Sequence, residues 1–181
     1  RTVEGEIEQA PFTILRSEIK IQAAGRTDAG VHANGQIFHA DLPVLEGKLS
    51  DFSYLTNRIN CLLEKDVVIR KIEQAPSGFD ARFSALSRTY IYRCSCGRSS
   101  RSLMLNGFVW DLNFIPDLKL LNSLASNIVG LKDFASFALP NPGGTTIRKV
   151  EAASWKEIEK GPEKGIIEFT IRSDAFARKM V

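Results

Sequence analysis

With 181 residues, 44% hydrophobic and 25% charged, the chain has ordinary globular composition and length for one large or two small domains. It has no apolar run of the ~18 residues that a membrane-spanning helix needs, and Arg1-Thr2-Val3-Glu4-Gly5-Glu6 lacks the apolar core of a signal peptide, so a cytoplasmic protein is expected. A net charge of +3 permits a polyanionic partner without demanding one.

Thr2 is a natural N-cap, with Glu4 and Glu6 in the first turn. Val3, Ile7, Ala10 and Ile14 recur at helical spacing. Pro11 interrupts them and is expected to kink or break the helix, at ~3 kcal/mol. Ile19, Ile21 and Ala23 then alternate with Lys20, Gln22 and Ala24, which reads as a half-buried strand. A second short strand begins within Gln36–Ala40 and reaches Leu42. Between the two lies Gly25-Arg26-Thr27-Asp28-Ala29-Gly30-Val31-His32-Ala33. Its glycines are expected to supply unusual backbone angles. An Asp between Thr and Gly ordinarily hydrogen-bonds its own turn, yet a polar loop on a strand scaffold is also where catalytic groups sit.

Pro43–Lys48 is turn-rich. Ser50 caps a helix bearing Phe52, Leu55, Ile59 and Leu62 on one face. Asp66–Ile72, rich in β-branched residues, predicts a strand. Pro76-Ser77-Gly78 marks a break, which divides the chain into subdomains 1–77 and 78–181.

Phe79–Ala85 leads into a strand over Ser87–Cys94, with Tyr90, Tyr92 and Cys94 on one face and Thr89, Ile91 and Arg93 on the other. Basic residues interleaved with aromatics suit nucleic acid; they equally suit an amphipathic strand with core tyrosines. Cys61, Cys94 and Cys96 are sparse and odd in number, as in a reducing compartment. Cys94-x-Cys96 with His32 and His39 matches no standard zinc spacing. The two strand cysteines are expected as small packed hydrophobes, with no metal. Arg93, Arg98 and Arg101 cluster about a Gly/Ser-rich turn.

Met104–Trp110 predicts another strand. Pro116 then opens a helix at its first position, with Leu118, Leu121, Leu124 and Ile128 on one face and Gly130 as its C-cap. A loop over Asn141–Gly144 follows. Ala152–Ile158 and Ile166–Ile171, joined through Gly161–Gly165, read as a hairpin. This irregular alternation favours an α+β fold, with a mixed, largely antiparallel sheet flanked by helices. Neither a phosphate-binding glycine loop nor H-E-x-x-H nor G-x-S-x-G occurs.

Residues 25–32 resemble the G-R-T-D-x-G-V-H signature of the TruA family of tRNA pseudouridine synthases. Ala81-Arg82-Phe83-Ser84-Ala85 followed by Arg88-x-Tyr90-x-Tyr92 resembles a second family block. Asp133-Phe134-Ala135-Ser136-Phe137, Thr145–Val150 and Ser173–Val181 resemble three more. The resemblance implies two ferredoxin-like subdomains sharing one sheet, with a central cleft. It implies isomerisation of uridine to pseudouridine in the anticodon stem-loop of tRNA, by a homodimer and without a cofactor. Asp28 would be the nucleophile, and Tyr90 would stack on the target uracil. Arg26 would help flip the base, while Arg82, Phe83, Arg98, Gly144, Thr145 and Thr146 would contact RNA. The opening resembles a family region that follows a first strand, and in the family an Arg follows the residue matching Val181. The chain is therefore expected to be truncated at both ends. Two competing readings are an RNA-binding relative without catalysis, which would gain nothing from Asp28 amid phosphates, and a metal-dependent hydrolase using Asp28, His32 and His39.

Overall fold

Thr2 caps the first helix, α1 (Val3–Leu15), through its side-chain oxygen, which accepts the Gly5 N–H at 3.1 Å. In the computed structural model, which describes residues 1–97, 103–139 and 144–181, α1 runs unbroken through Pro11. The expected break does not occur. Ile7, Ala10 and Pro11 are all buried, and packing along that face offsets the bond that proline cannot donate. Arg16, at φ 52°, ends the helix by donating its N–H to the Phe12 carbonyl at 2.8 Å.

The chain divides into two units, Arg1–Ala85 and Leu86–Val181, so the division lies beyond the Pro76–Gly78 break. In the first unit β1 (Ile21–Ala23) pairs antiparallel with β2 (Phe38–Ala40). Ile21, Phe38 and Ala40 join Ile7, Ala10, Leu55, Ile59 and Ile69 in one core. Glu8 ties helix to ribbon: its carboxylate accepts the Ile21 N–H at 3.1 Å and Lys20 Nζ at 3.2 Å. The Ile21 N–H is the main reason its carboxyl lies below the ordinary range. Helix α2 (Phe52–Asn60) is capped by Asp51 rather than Ser50. Asp51 accepts from the N–H groups of Ser53 and Tyr54, whereas Ser50 donates to the Gly47 carbonyl within a short 3-10 turn.

The strand expected at Asp66–Ile72 does not form. Its central residue instead meets a side chain: Asn60 Nδ2 donates to the Ile69 carbonyl and Asn60 Oδ1 accepts the Ile69 N–H, both at 2.8 Å. One amide thus imitates a ladder rung, and Ile69 still enters the core.

In the second unit β3 (Arg88–Cys96), β4 (Trp110–Leu112), β5 (Gly130–Asp133), β6 (Ile147–Glu157) and β7 (Ile166–Ser173) form a sheet of order β4-β3-β7-β6-β5. Only β3–β4 is parallel among these pairings. The described strands therefore make one sheet within each unit. The β6–β7 hairpin forms as its turn residues predict, with a bulge between Val150 and Ala152. The strand expected over Met104–Trp110 gives way to a 3-10 turn, Leu103–Leu105, and β4 starts only at Trp110. Gly107, at φ 86°, turns the chain between them.

Helix α3 (Leu118–Ser126) starts after Asp117, which accepts the N–H groups of Lys119 and Leu120. Pro116 therefore precedes the cap. The helix ends at Asn127, and Gly130 instead opens β5 at φ 104°. Leu118 and Leu121 pack on the sheet, but Ala125 is buried where Leu124 was expected, leaving Leu124 exposed. Cys94 and Cys96 lie buried against Leu112 and Ile167, as small hydrophobes. Burial pushes the Cys94 thiol up to about 11. Across the opposite sheet face Glu168 is nearly enclosed, and it accepts from Arg93 Nε and Lys156 Nζ, both at 2.8 Å, from its two flanking strands. Among the described residues no helix is long and apolar enough to cross a membrane.

Candidate active site

The loop carrying Asp28 leaves the open end of the β1–β2 ribbon. Past the last ladder pair, Ala23 and Phe38, Ala24 donates its N–H to the Ile37 carbonyl at 2.8 Å, and Gln36 Nε2 donates to the Gly25 carbonyl at 2.6 Å. These bonds fasten the loop's base. Further out, the Val31 N–H reaches the Asp28 carbonyl at 3.1 Å, which closes a four-residue turn with Gly30 at its third position. That position takes a positive φ in a type II turn, and Gly30 has φ 84°. A Cβ there would meet nothing within 4 Å, so backbone angle rather than space calls for glycine. Gly25 has no such angle, contrary to expectation. Arg26, Thr27, Asp28 and His32 are all exposed, so the turn presents a carboxylate, a guanidinium, a hydroxyl and an imidazole to solvent.

Arg82 and Phe83 belong to the same unit. Asp80 organises them: its Oδ1 accepts the N–H groups of Arg82 at 2.7 Å and Phe83 at 2.8 Å. Its own N–H donates to Ser84 Oγ, and its carbonyl accepts the Ser84 N–H. The Phe83 N–H, with the Arg82 N–H and the nearby His39, holds the Asp80 carboxyl low against the opposing effect of burial. The result is a tight knot with the Arg82 guanidinium 5.5 Å above the Phe83 ring and 78% of Phe83 exposed. An exposed cation on an exposed aromatic suits a phosphate beside a base.

His39 Nδ1 accepts the Ala81 N–H at 2.9 Å, which commits that nitrogen to the fold. Among the described residues no group of three or more His, Cys, Asp or Glu side chains is placed to hold a metal ion.

In the second unit Tyr90 sits on β3 opposite Ile171. Its half-buried ring meets Phe176 edge-on, with centroids 4.9 Å apart at 90°. Phe134, Val150 and Ile171 form the buried cluster against which Tyr90, Phe176 and Met180 pack. The tyrosine is thus a half-buried neighbour of this core. Arg93, expected in a basic surface cluster, is instead paired with Glu168 and Glu163. Arg98 and Arg101 lie outside the described residues. Gly144 and Thr145 are exposed and Thr146 partly so. Thr145 Oγ1 accepts the Ile147 N–H at 3.1 Å, and Thr146 Oγ1 donates to Asp133 at 2.5 Å. Both threonine hydroxyls therefore also brace the start of β6.

Sequence reasoning does not single out Gln22 or Asp80, and it considers His39 only as a metal ligand. Their signal is faint: polar residues at the alternate positions of two short strands, and an Asp two residues before an Arg-Phe pair.

A family profile described as tRNA pseudouridine synthase matches residues 124–181. The chain is 41% identical over 219 residues to the tRNA pseudouridine synthase A of Bifidobacterium longum strain DJO10A, covering all of this chain and 70% of that protein. It is 39% identical over 183 residues to that of Cutibacterium acnes, and 40% over 186 residues to that of Streptomyces avermitilis. In both cases all of this chain and 63% of the relative are covered. The turn around Asp28, the Arg82–Phe83 knot and the Tyr90 strand coincide with the motif blocks read from the sequence, and together with these matches they establish that the chain belongs to the TruA family of tRNA pseudouridine synthases.

Proposed function

We propose that this chain, as a tRNA pseudouridine synthase, isomerises uridine in the anticodon stem-loop, with Asp28 as nucleophile and Tyr90 stacked on the flipped base. The conversion breaks the C1′–N1 bond, turns the base and joins C5 to C1′. The C5 proton leaves and N1 regains one, so atoms and electrons balance without an oxidant, a reductant or a group donor. A carboxylate can form the covalent intermediate that divides this step into two. The target must first leave the stack, which costs a few kcal/mol and calls for a flat partner.

The observation that carries the reading is the β1–β2 ribbon. It holds an exposed carboxylate on a glycine-dependent turn, and its unit also carries an exposed guanidinium–aromatic pair. An anion in a surface meant only to bind phosphates would weaken that binding; as a nucleophile it has a use. Arg26, two residues before Asp28, assists base flipping. Arg82, Phe83, Arg98 and the Gly144–Thr146 loop contact the RNA backbone. The reading includes a cytoplasmic homodimer with tRNA lying across both subunits.

Asp28→Asn tests it. The amide keeps the shape and removes the nucleophile, so tritium release from 5-tritiated uridine tRNA should fall to the rate without enzyme while tRNA binding persists. Turnover above that background would remove Asp28 from the mechanism.

A further inference from the structure

The β1–β2 ribbon has two faces. Ile21, Phe38 and Ala40 join the core, while Gln22 and His39 stand opposite each other at the alternate position. Both reach the same short segment. Gln22 Nε2 donates to Asp80 Oδ2 at 3.2 Å, and the Ala81 N–H donates to His39 Nδ1 at 2.9 Å. The His39 ring also meets Phe79 edge-on, with centroids 6.2 Å apart. Ala81 is only 2% exposed, so its N–H has little access to water if His39 ceases to accept it. What Gln22 and His39 fasten is the knot whose next two residues are Arg82 and Phe83, already gathered by Asp80 Oδ1.

We infer that Gln22 and His39 are positioning residues: a cross-strand latch that fixes the Asp80–Phe83 knot to the ribbon, so that Arg82 meets the tRNA backbone already in place. This inference rests on the reading of Arg82 as an RNA contact. The latch acts through preorganisation. A guanidinium held where a phosphate will lie loses less freedom on binding than one on a loose segment. It also couples the knot to the strands that carry the Asp28 loop, so the anchoring cation and the nucleophile share one support.

The test is a double-mutant cycle in the full chain, read as tRNA affinity at several salt concentrations and as kcat and KM for tritium release. His39→Phe keeps a ring against Phe79 and removes the acceptor. His39→Asn returns an acceptor at the Nδ1 position. Loss of one well-placed phosphate contact weakens affinity about tenfold and lowers the salt slope by about one. Arg82→Ala should show both effects, and His39→Phe should reproduce them, raising KM by a larger factor than it lowers kcat. His39→Asn should restore affinity. In the Arg82→Ala background His39→Phe should add nothing.

Additive losses from the two substitutions would overturn the latch and leave the Arg82 contact standing, as would His39→Phe with unchanged affinity. Unchanged affinity and salt slope in Arg82→Ala would overturn the Arg82 contact itself, and the latch with it. Should His39→Phe fold poorly, Gln22→Met at its exposed position runs the same cycle. A smaller loss is then expected, and additivity with Arg82→Ala would again overturn the latch.

Discussion

In Arg1–Ala85 the Asp28 loop rests on two three-residue strands, whereas in Leu86–Val181 Tyr90 lies in a nine-residue strand paired along most of its length with the eight-residue β7. The smaller ribbon cannot position much by ladder alone. Side chains do that work instead: Glu8 on Ile21, Asn60 on Ile69, Gln22 on Asp80, and His39 on Ala81. In the larger sheet, register sets the position of every residue on β3, and a comparable clasp, Asn122 exchanging two bonds with the Trp155 backbone at 2.8 and 2.9 Å, ties α3 to β6 rather than placing Tyr90. The difference teaches where each unit is fragile. The first is vulnerable to the loss of single polar groups, the second to the loss of apolar volume.

The largest effect should come from the second unit. Ile171 is 4% exposed and lies across from Tyr90. Ile171→Ala should cost about 2–5 kcal/mol by lost burial and a residual cavity, measured by urea denaturation. Next comes Asn60→Leu in the first unit, which removes both bonds to Ile69 and should cost about 2 kcal/mol. A negligible change would break the comparison, because it would mean that the 66–72 segment holds its place by packing alone.

Smaller again is Gly30→Ala. Its cost is the left-handed backbone angle, about 1 kcal/mol, while Gly25→Ala, with open space and no such angle, should cost nothing and gain about 0.4–1 kcal/mol by restricting the unfolded chain. Equal effects would show that the turn tolerates either geometry. At neutral pH Glu168→Gln should cost less than Asn60→Leu, because glutamine keeps an acceptor oxygen and Arg93 and Lys156 are exposed enough to be hydrated. Burial alone would raise the Glu168 carboxyl, but Lys156 and Arg93 outweigh it and hold it below 4.5. Its ionised form therefore stabilises the fold fully above pH 4.5, and that contribution fades as pH falls through the lower folded value. Glu168→Gln should flatten the acid side of a stability–pH curve and leave the alkaline side unchanged. Should Glu168→Gln cost more than Asn60→Leu at pH 7, the comparison would be reversed.

How much of the molecule is legible in the sequence follows the same division. The β6–β7 hairpin is announced by alternation on either side of Gly161–Gly165, and the cap of α1 by Thr2, because both signals are local. The Asp28 loop is legible from its dense motif between two alternating strands. The 66–72 segment misleads because β-branched residues signal a strand wherever they can pack, and only the tertiary fold reveals that its partner is an asparagine on a helix. Pro116 and Ser50 each lie next to the true cap, where an Asp with two N–H groups to accept outcompetes them. Gln22 and His39 are hardest to read. Their role depends on a segment some forty to sixty residues onward, and no local pattern encodes that meeting.

The burial of two of the three cysteines also shapes how the molecule can be observed. Cys94 and Cys96 sit under the second unit's sheet with their thiols pushed upward, while Cys61 is exposed just after α2. Thiol-directed reagents act on the accessible thiolate, so within these 181 residues a maleimide dye should label Cys61 and spare Cys94 and Cys96. Fluorescence anisotropy or quenching from that dye would then follow tRNA arrival at the Arg1–Ala85 unit without an engineered attachment point.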